Sequence, residues 1–381
     1  MELSSNNSLA LTSLKKDWMR AGLFFVLFIG GIYLFLERFW QPTYALRWLG
    51  LAATFGVWQV FFLWRNLGRN HRVGESEILP ALGWANSVSF LRGVFIAALF
   101  GFLFSPWGEG WLAWLPFVFY LLAAISDFLD GYLARITNHV TELGSVLDME
   151  NDSWGVLIVT LLVFWYGQVP IWFLAVGLAR YLFIFGLWLR EKMGKQNHEL
   201  PFSVRRRAFA GVQMGFIVAM LVPLYAPPAT TFVSTLFALP FLVGFLYDWL
   251  LVSGQVDPRK GAEFFTALSS EKSLKFLPTF LRFSLAGFLG FFLAQQEIAL
   301  PWLLVFIPLA FFLALGLVGR LSAILVLIFL GPLIADQPLA GLYPILFTLS
   351  ITLFFSGTGA LSLWSPEDSL IYNRAGEKNA Q

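Results

Sequence analysis

Runs of apolar residues long enough to cross about 30 Å of hydrocarbon, separated by short polar turns, recur along nearly the whole chain. They predict an all-α, polytopic membrane protein with about twelve spanning helices. Two come first, over 21–39 and 44–64. Six follow at 84–104, 110–135, 144–166, 169–190, 208–226 and 229–252, and four more at 277–294, 301–317, 320–335 and 341–363. The polar interruptions suggest four parts: a two-helix N-terminal segment (1–75), a six-helix core (76–253), a linker (254–276), and a four-helix module with a polar tail (277–381).

Composition agrees with that pattern. The 381 residues are 58% hydrophobic and 13% charged, about half the charged share of a soluble domain. The absence of cysteine excludes disulfides and thiolate metal sites. His71, His139 and His198 are scattered, which leaves little material for a histidine metal site or a Ser-His-Asp arrangement. Residues 1–20 are polar and no small-residue cleavage pattern follows, so the first apolar run is expected to be a retained span. Basic residues crowd alternate loops: Lys15, Lys16 and Arg20; Arg65, Arg69 and Arg72; Arg190 to Arg207; Arg259 to Lys275; and Arg374 with Lys378. The opposite loops hold only Arg38 and Arg47. By the positive-inside rule both termini, and the turn at 136–143, are expected on the cytoplasmic side.

Against this oily background, four aspartates stand out in the segment ISDFLDGYLARITNHVTELGSVLDMENDSWG. Charge inside a span is costly and points to function. On a helix Asp127, Asp130, Gly131 and Ala134 share one face, at i, i+3, i+4 and i+7. On the next helix Gly144, Asp148 and Asp152 share another, at i, i+4 and i+8. A short turn makes the two helices antiparallel neighbours, so their acidic faces are expected to converge. Carboxylates in such a cluster repel unless cations neutralise them, and oxygen-only ligands favour Mg²⁺, Mn²⁺ or Ca²⁺. A phosphorylated substrate is the natural companion of magnesium. An ion pathway or proton relay is the competing reading of intramembrane aspartates, as in a cation-coupled membrane transporter.

The pattern Asp127-x2-Asp130-Gly131-x2-Ala134-Arg135-x8-Gly144-x3-Asp148-x3-Asp152 resembles the signature of the CDP-alcohol phosphatidyltransferase family at every fixed position. Asn86-x2-Ser89-x2-Arg92 is similar to the pattern opening that family's first core helix. The resemblance implies transfer of a phosphatidyl or other substituted phosphate group from CDP-diacylglycerol or another CDP-alcohol to an alcohol acceptor, with release of CMP, in phospholipid biosynthesis. It implies one or two Mg²⁺ or Mn²⁺ ions, with Asp127, Asp130, Asp148 and Asp152 near the metal and Asp152 also the general base. Gly131, Ala134, Arg135 and Gly144 would line the nucleotide, with Asn86 a further donor-site residue. The family also implies a homodimer in membrane lipid and no nucleic-acid partner.

Three arginines are candidates for substrate phosphate. Arg180 lies mid-span, where a phosphate or a carboxylate partner would each satisfy it, while Arg205 and Arg206 precede the seventh span and equally suit membrane anchoring. In the last module, Gly319-Arg320-Leu321-Ser322-Ala323 and the run 357–363 faintly resemble the DoxX-like membrane family, although Trp364 stands where that family carries an acid.

Overall fold

The structure, a computed structural model, describes residues 2–198, 217–218, 220–223, 226–227, 229–256, 271–295, 300–335, 343–359 and 361–364. Among these there is no β-strand, only isolated bridges between short extended stretches. The first six helices are α1 (Glu2–Phe39), α2 (Pro42–Asn66), α3 (Gly83–Gly101), α4 (Leu115–Ile136), α5 (Glu142–Trp165) and α6 (Leu174–Lys192). The others described are α7 (Ala229–Val252), α8 (Glu271–Gln295), α9 (Leu300–Leu315), α10 (Gly319–Ala335) and α11 (Tyr343–Ser356). Each overlaps an expected span, although α1 begins at Glu2 and not near residue 21; the expected span at 208–226 lies almost wholly outside the described residues. Five stretches are long and apolar enough to cross a bilayer: Asn6–Phe39, Pro42–Arg69, Gly83–Gly101, Gly110–Ile136 and Ile171–Lys192. They mark an integral membrane protein. Helix α5 is not among the five, and its first half carries Asp148, Glu150 and Asp152.

Local chemistry sets the helix ends. Pro42 opens α2 and Pro116 opens α4, where a missing N–H costs nothing. Thr141 caps α5 by accepting a hydrogen bond from the Gly144 amide at 3.0 Å. Asn138, at a φ of 51°, turns the chain out of α4 in the left-handed region that asparagine tolerates.

The packing divides into two compact units, with the break inside α6. The first comprises residues 1–178 and 217–222. Its centre is α3, which packs on α1, α2, α4 and α5. Two-thirds (67%) of the α3 span is buried, against 17% for α1 and 33% each for α2 and α4. The sequence explains the position: Ala85, Ser89, Gly93, Ala97 and Gly101 form a stripe of small residues at i, i+4 spacing, which lets neighbouring helices come close. A Cβ on Gly101 would lie 2.6 Å from the Trp48 ring, and one on Gly93 would lie 2.8 Å from the Gln59 amide oxygen. Helices α4 and α5 touch, but each packs mainly on α3, so the expected direct pairing of the two acidic helices is mediated by a third.

The second unit holds the described residues of 179–198 and 223–364. In it α8, α9, α10 and α11 close a ring in which each helix packs on two others, and α7 adds to α11. The expected core of 76–253 thus draws on both units.

Candidate active site

The loop preceding α3 fixes the site's lower edge. Asn70 donates from its amide to the carbonyls of Leu79 (3.0 Å) and Ala81 (2.8 Å), folding residues 70–82 into a compact turn. That turn is stitched to the α4–α5 connection: the Glu142 amide donates to the His71 carbonyl at 3.0 Å, and Arg72 Nε to the Asn138 carbonyl at 3.2 Å. Asn86, only 1% exposed, completes the clasp by donating to Asn70 Oδ1 (2.9 Å) and to Thr141 Oγ1 (3.1 Å). Gly144 is the close-approach point, because a Cβ there would lie 2.8 Å from Asn86 Oδ1. The starts of α3 and α5 are therefore locked together.

A second buried amide pair sets the rotation of α5. Asn151 donates to the Ser89 carbonyl at 2.7 Å and accepts from Gln59 Nε2 at 3.3 Å, joining α5, α3 and α2. Unpaired amides in such surroundings are costly, so this network specifies the register. It turns Asp148 and Asp152 of α5 toward the face of α4 that carries Asp127.

These three carboxylates meet. Among the described residues, one ligand oxygen from each of Asp127, Asp148 and Asp152 lies within 4.8 Å of the others. At their centre is Arg92 of α3. Its Nη1 donates to Asp127 Oδ1 at 2.6 Å and to Asp148 Oδ1 at 2.8 Å, and its Nη2 donates to Asp152 Oδ1. The Arg92 side chain is 5% exposed, while those of Asp127, Asp148 and Asp152 are 43%, 49% and 34% exposed. The site is thus a half-open acidic bowl with a cationic floor.

Asp130 is held differently. It is 7% exposed and accepts from Ser89 Oγ at 2.7 Å, one turn before Arg92 on α3. The next residue, Gly131, is not packed: a Cβ there would meet only the Arg135 guanidinium, whose nearest atom is 3.3 Å away. Ala134 and Arg135 are half-buried on the same helix. Arg180 is half-buried on α6 and belongs to the other compact unit. Arg205 and Arg206 lie outside the described residues.

The donor set fits a hard divalent cation. Every donor is a carboxylate oxygen, and one guanidinium against four ionised carboxylates leaves a formal charge of −3. One charged hydrogen bond leaves a carboxylate with further lone pairs to offer.

Arg92, Gln59 and Asn151 were not among the residues that the sequence pattern assigned to the site. Their signal was present in the chain: Arg92 closes the Asn86-x2-Ser89-x2-Arg92 pattern, and Gln59 and Asn151 are polar residues set in apolar or acidic helices.

Residues 82–247 match the family model described as CDP-alcohol phosphatidyltransferase. Over 100 residues the chain is 32% identical to a CDP-diacylglycerol--glycerol-3-phosphate 3-phosphatidyltransferase of Cereibacter sphaeroides, covering 26% of this chain and 43% of that protein. Over 75 residues it is 35% identical to a cardiolipin synthase (CMP-forming) of Streptomyces coelicolor, covering 20% of this chain and 33% of that one. The matched stretches therefore span less than half the length of either relative. No solved structure matches the chain.

Proposed function

We propose that this chain, whose residues 82–247 match the CDP-alcohol phosphatidyltransferase model, transfers a substituted phosphate from a CDP-linked donor to an alcohol, releasing CMP, in membrane phospholipid synthesis. The observation that carries the reading is the convergence of Asp127, Asp148 and Asp152 from two helices, within 4.8 Å, on a half-open face. The name of the Cereibacter relative favours CDP-diacylglycerol as donor and glycerol 3-phosphate as acceptor, and the name of the Streptomyces relative favours release of CMP.

In this reading Asp127, Asp130 and Asp148, with Asp152 alongside, hold Mg²⁺ or Mn²⁺. The ion supplies charge stabilisation for the diphosphate as CMP leaves. Asp152 takes the acceptor's hydroxyl proton as the oxygen attacks the phosphorus remote from the cytidine. A new P–O bond forms to the acceptor, the anhydride P–O bond breaks, and the electron pair leaves with CMP. Gly131 keeps the α4 surface low enough for the nucleotide, and Arg135 lies over it to meet phosphate oxygens. Asn86 and Gly144 act by positioning, through the clasp that aligns α3 with α5. Arg180, Arg205 and Arg206 are assigned to substrate phosphate on charge alone. In this reading the site and both termini lie at the cytoplasmic face, which the basic residues of alternate loops support by the positive-inside rule.

The test is CMP release from CDP-diacylglycerol by the purified chain, with Mg²⁺ or Mn²⁺ and each acceptor in turn, and mass detection of the lipid product. Metal-dependent CMP release with one acceptor is the expected result. Cation flux in vesicles without CMP release would instead favour a cation-coupled transporter.

A further inference from the structure

Helices α1 and α2 lie outside the matched domain, and they enclose a groove between them. It has a volume of about 550 Å³ and is lined almost wholly by apolar atoms of Trp18, Gly22 and Phe25 on α1 and Val57, Phe61 and Trp64 on α2. From Trp18 to Val26 it runs about 12 Å along the helix axis, at 1.5 Å per residue. Its floor is built in. Gly56 admits the Phe25 ring, since any Cβ there would fall inside it. Trp18 Nε1 donates across to the Val60 carbonyl at 2.8 Å and fixes the spacing of the two helices.

One end of the groove is cationic and the other is not. Lys15 continues the α1 stripe one turn beyond Trp18, with its ammonium 5.5 Å from the Trp64 ring centre. Arg65 continues the α2 stripe one turn beyond Phe61, in the last turn of the helix. Tryptophans at the level where an apolar slot meets basic residues mark a bilayer interface. An apolar slot bounded at one end by two tryptophans, with Lys15 over the Trp64 ring and Arg65 next along α2, has the polarity of a single phospholipid leaflet. A volume in the range of small-molecule clefts suits an acyl chain. We propose that this groove binds one anionic phospholipid, its acyl chain along Gly22 and Val57 and its phosphate at Lys15 and Arg65.

The test uses the purified full chain and native mass spectrometry, with phosphatidylglycerol or phosphatidylcholine of identical acyl chains added back. The expected result is one phosphatidylglycerol retained in preference to phosphatidylcholine. The double variant Lys15→Ala/Arg65→Ala should weaken it about 30-fold, which is about 2 kcal/mol at about 1 kcal/mol per basic residue near a membrane surface. Gly22→Leu should abolish retention by filling the slot; a Cβ at Gly22 makes only ordinary contact, 3.7 Å from Val60, so the variant is expected to fold. Thermal melting in detergent checks that both variants remain folded. Equal retention of the two lipids, or wild-type affinity in either variant, overturns the proposal. So does loss of a dimer in Gly22→Leu, which would give the groove to a second copy of the chain.

Discussion

Both compact units bury arginine, and Arg92 of the first and Arg282 of the second are used in opposite ways. Arg92 donates to three carboxylates that are one-third to one-half exposed, so its charge is part of an open ionic cluster. Arg282 of α8 is fully buried and, among the described residues, donates to backbone carbonyls, to Thr358 at 3.1 Å and Leu361 at 3.1 Å, while its Nε makes no hydrogen bond there. Gly316, at a φ of 67°, has no side chain to obstruct it; a Cβ there would lie 2.2 Å from Arg282 Nη1. One arginine draws three carboxylates together. The other ties down the chain that follows α11, helped by Arg320, which donates to the Phe354 carbonyl at 2.7 Å. The lesson is that a buried cation in a helical membrane protein can serve either an open cluster of carboxylates or the backbone of a neighbouring segment, and its acceptors tell the two apart.

That contrast is open to test. The largest effect is expected at Asp152→Asn, which should reduce metal-dependent CMP release about 10³-fold while the protein stays folded. Activity within tenfold of wild type would remove Asp152 from the role of base. Next comes Arg92→Gln, which leaves three facing carboxylates without their counter-ion. Its thermal midpoint should correspond to a loss of about 2–4 kcal/mol in EDTA, less than for a fully buried pair because the carboxylates are partly solvated. Excess Mg²⁺ should restore much of that loss, since a divalent ion supplies the missing positive charge.

Arg282→Met should cost about 1–2 kcal/mol, the penalty for stranding the buried Thr358 carbonyl and the part-buried Leu361 carbonyl less what is regained by removing a buried charge. Here the loss should be the same in EDTA and in Mg²⁺. If the midpoint rises, or responds to metal, the two arginines are not different in kind. The smallest effects are expected at the glycines. Gly144→Ala should lower stability by about 1–2 kcal/mol through its clash with Asn86. Gly131→Ala should stabilise slightly, by up to about 0.5–1 kcal/mol, and raise KM for the CDP-linked donor, because the nearest atoms to a Cβ there belong to the flexible Arg135 guanidinium.

How much of this was legible in the chain varies with the kind of contact. The helices were readable because apolar runs are local, and the described helices lie where those runs do. The aspartates were readable because their charge is anomalous in such runs and because helical spacing alone puts Asp148 and Asp152 on one face. The polar stretch 2–20 was less so. It continues α1 as helix, since nothing in it breaks a helix even though little of it is apolar. The position of α3 between α4 and α5 was missed, although the small residues Ala85, Ser89, Gly93, Ala97 and Gly101 that allow it are plain in the sequence. A small-residue stripe states that something approaches closely but does not name the partner.

By itself the sequence determined an all-helical membrane chain, its helix positions, and a set of four aspartates fit for metal and phosphate chemistry. Periodicity and the cost of charge in hydrocarbon are properties of single segments. Only the tertiary structure decided that three of the aspartates converge while Asp130 is held by Ser89. It also decided that Arg92 forms the floor beneath them, and that Asn86 and Gly144 form a clasp. Those outcomes depend on which helix α3 packs against and at what rotation. The buried amides of Gln59, Asn70, Asn86 and Asn151, drawn from separate parts of the chain, fix both.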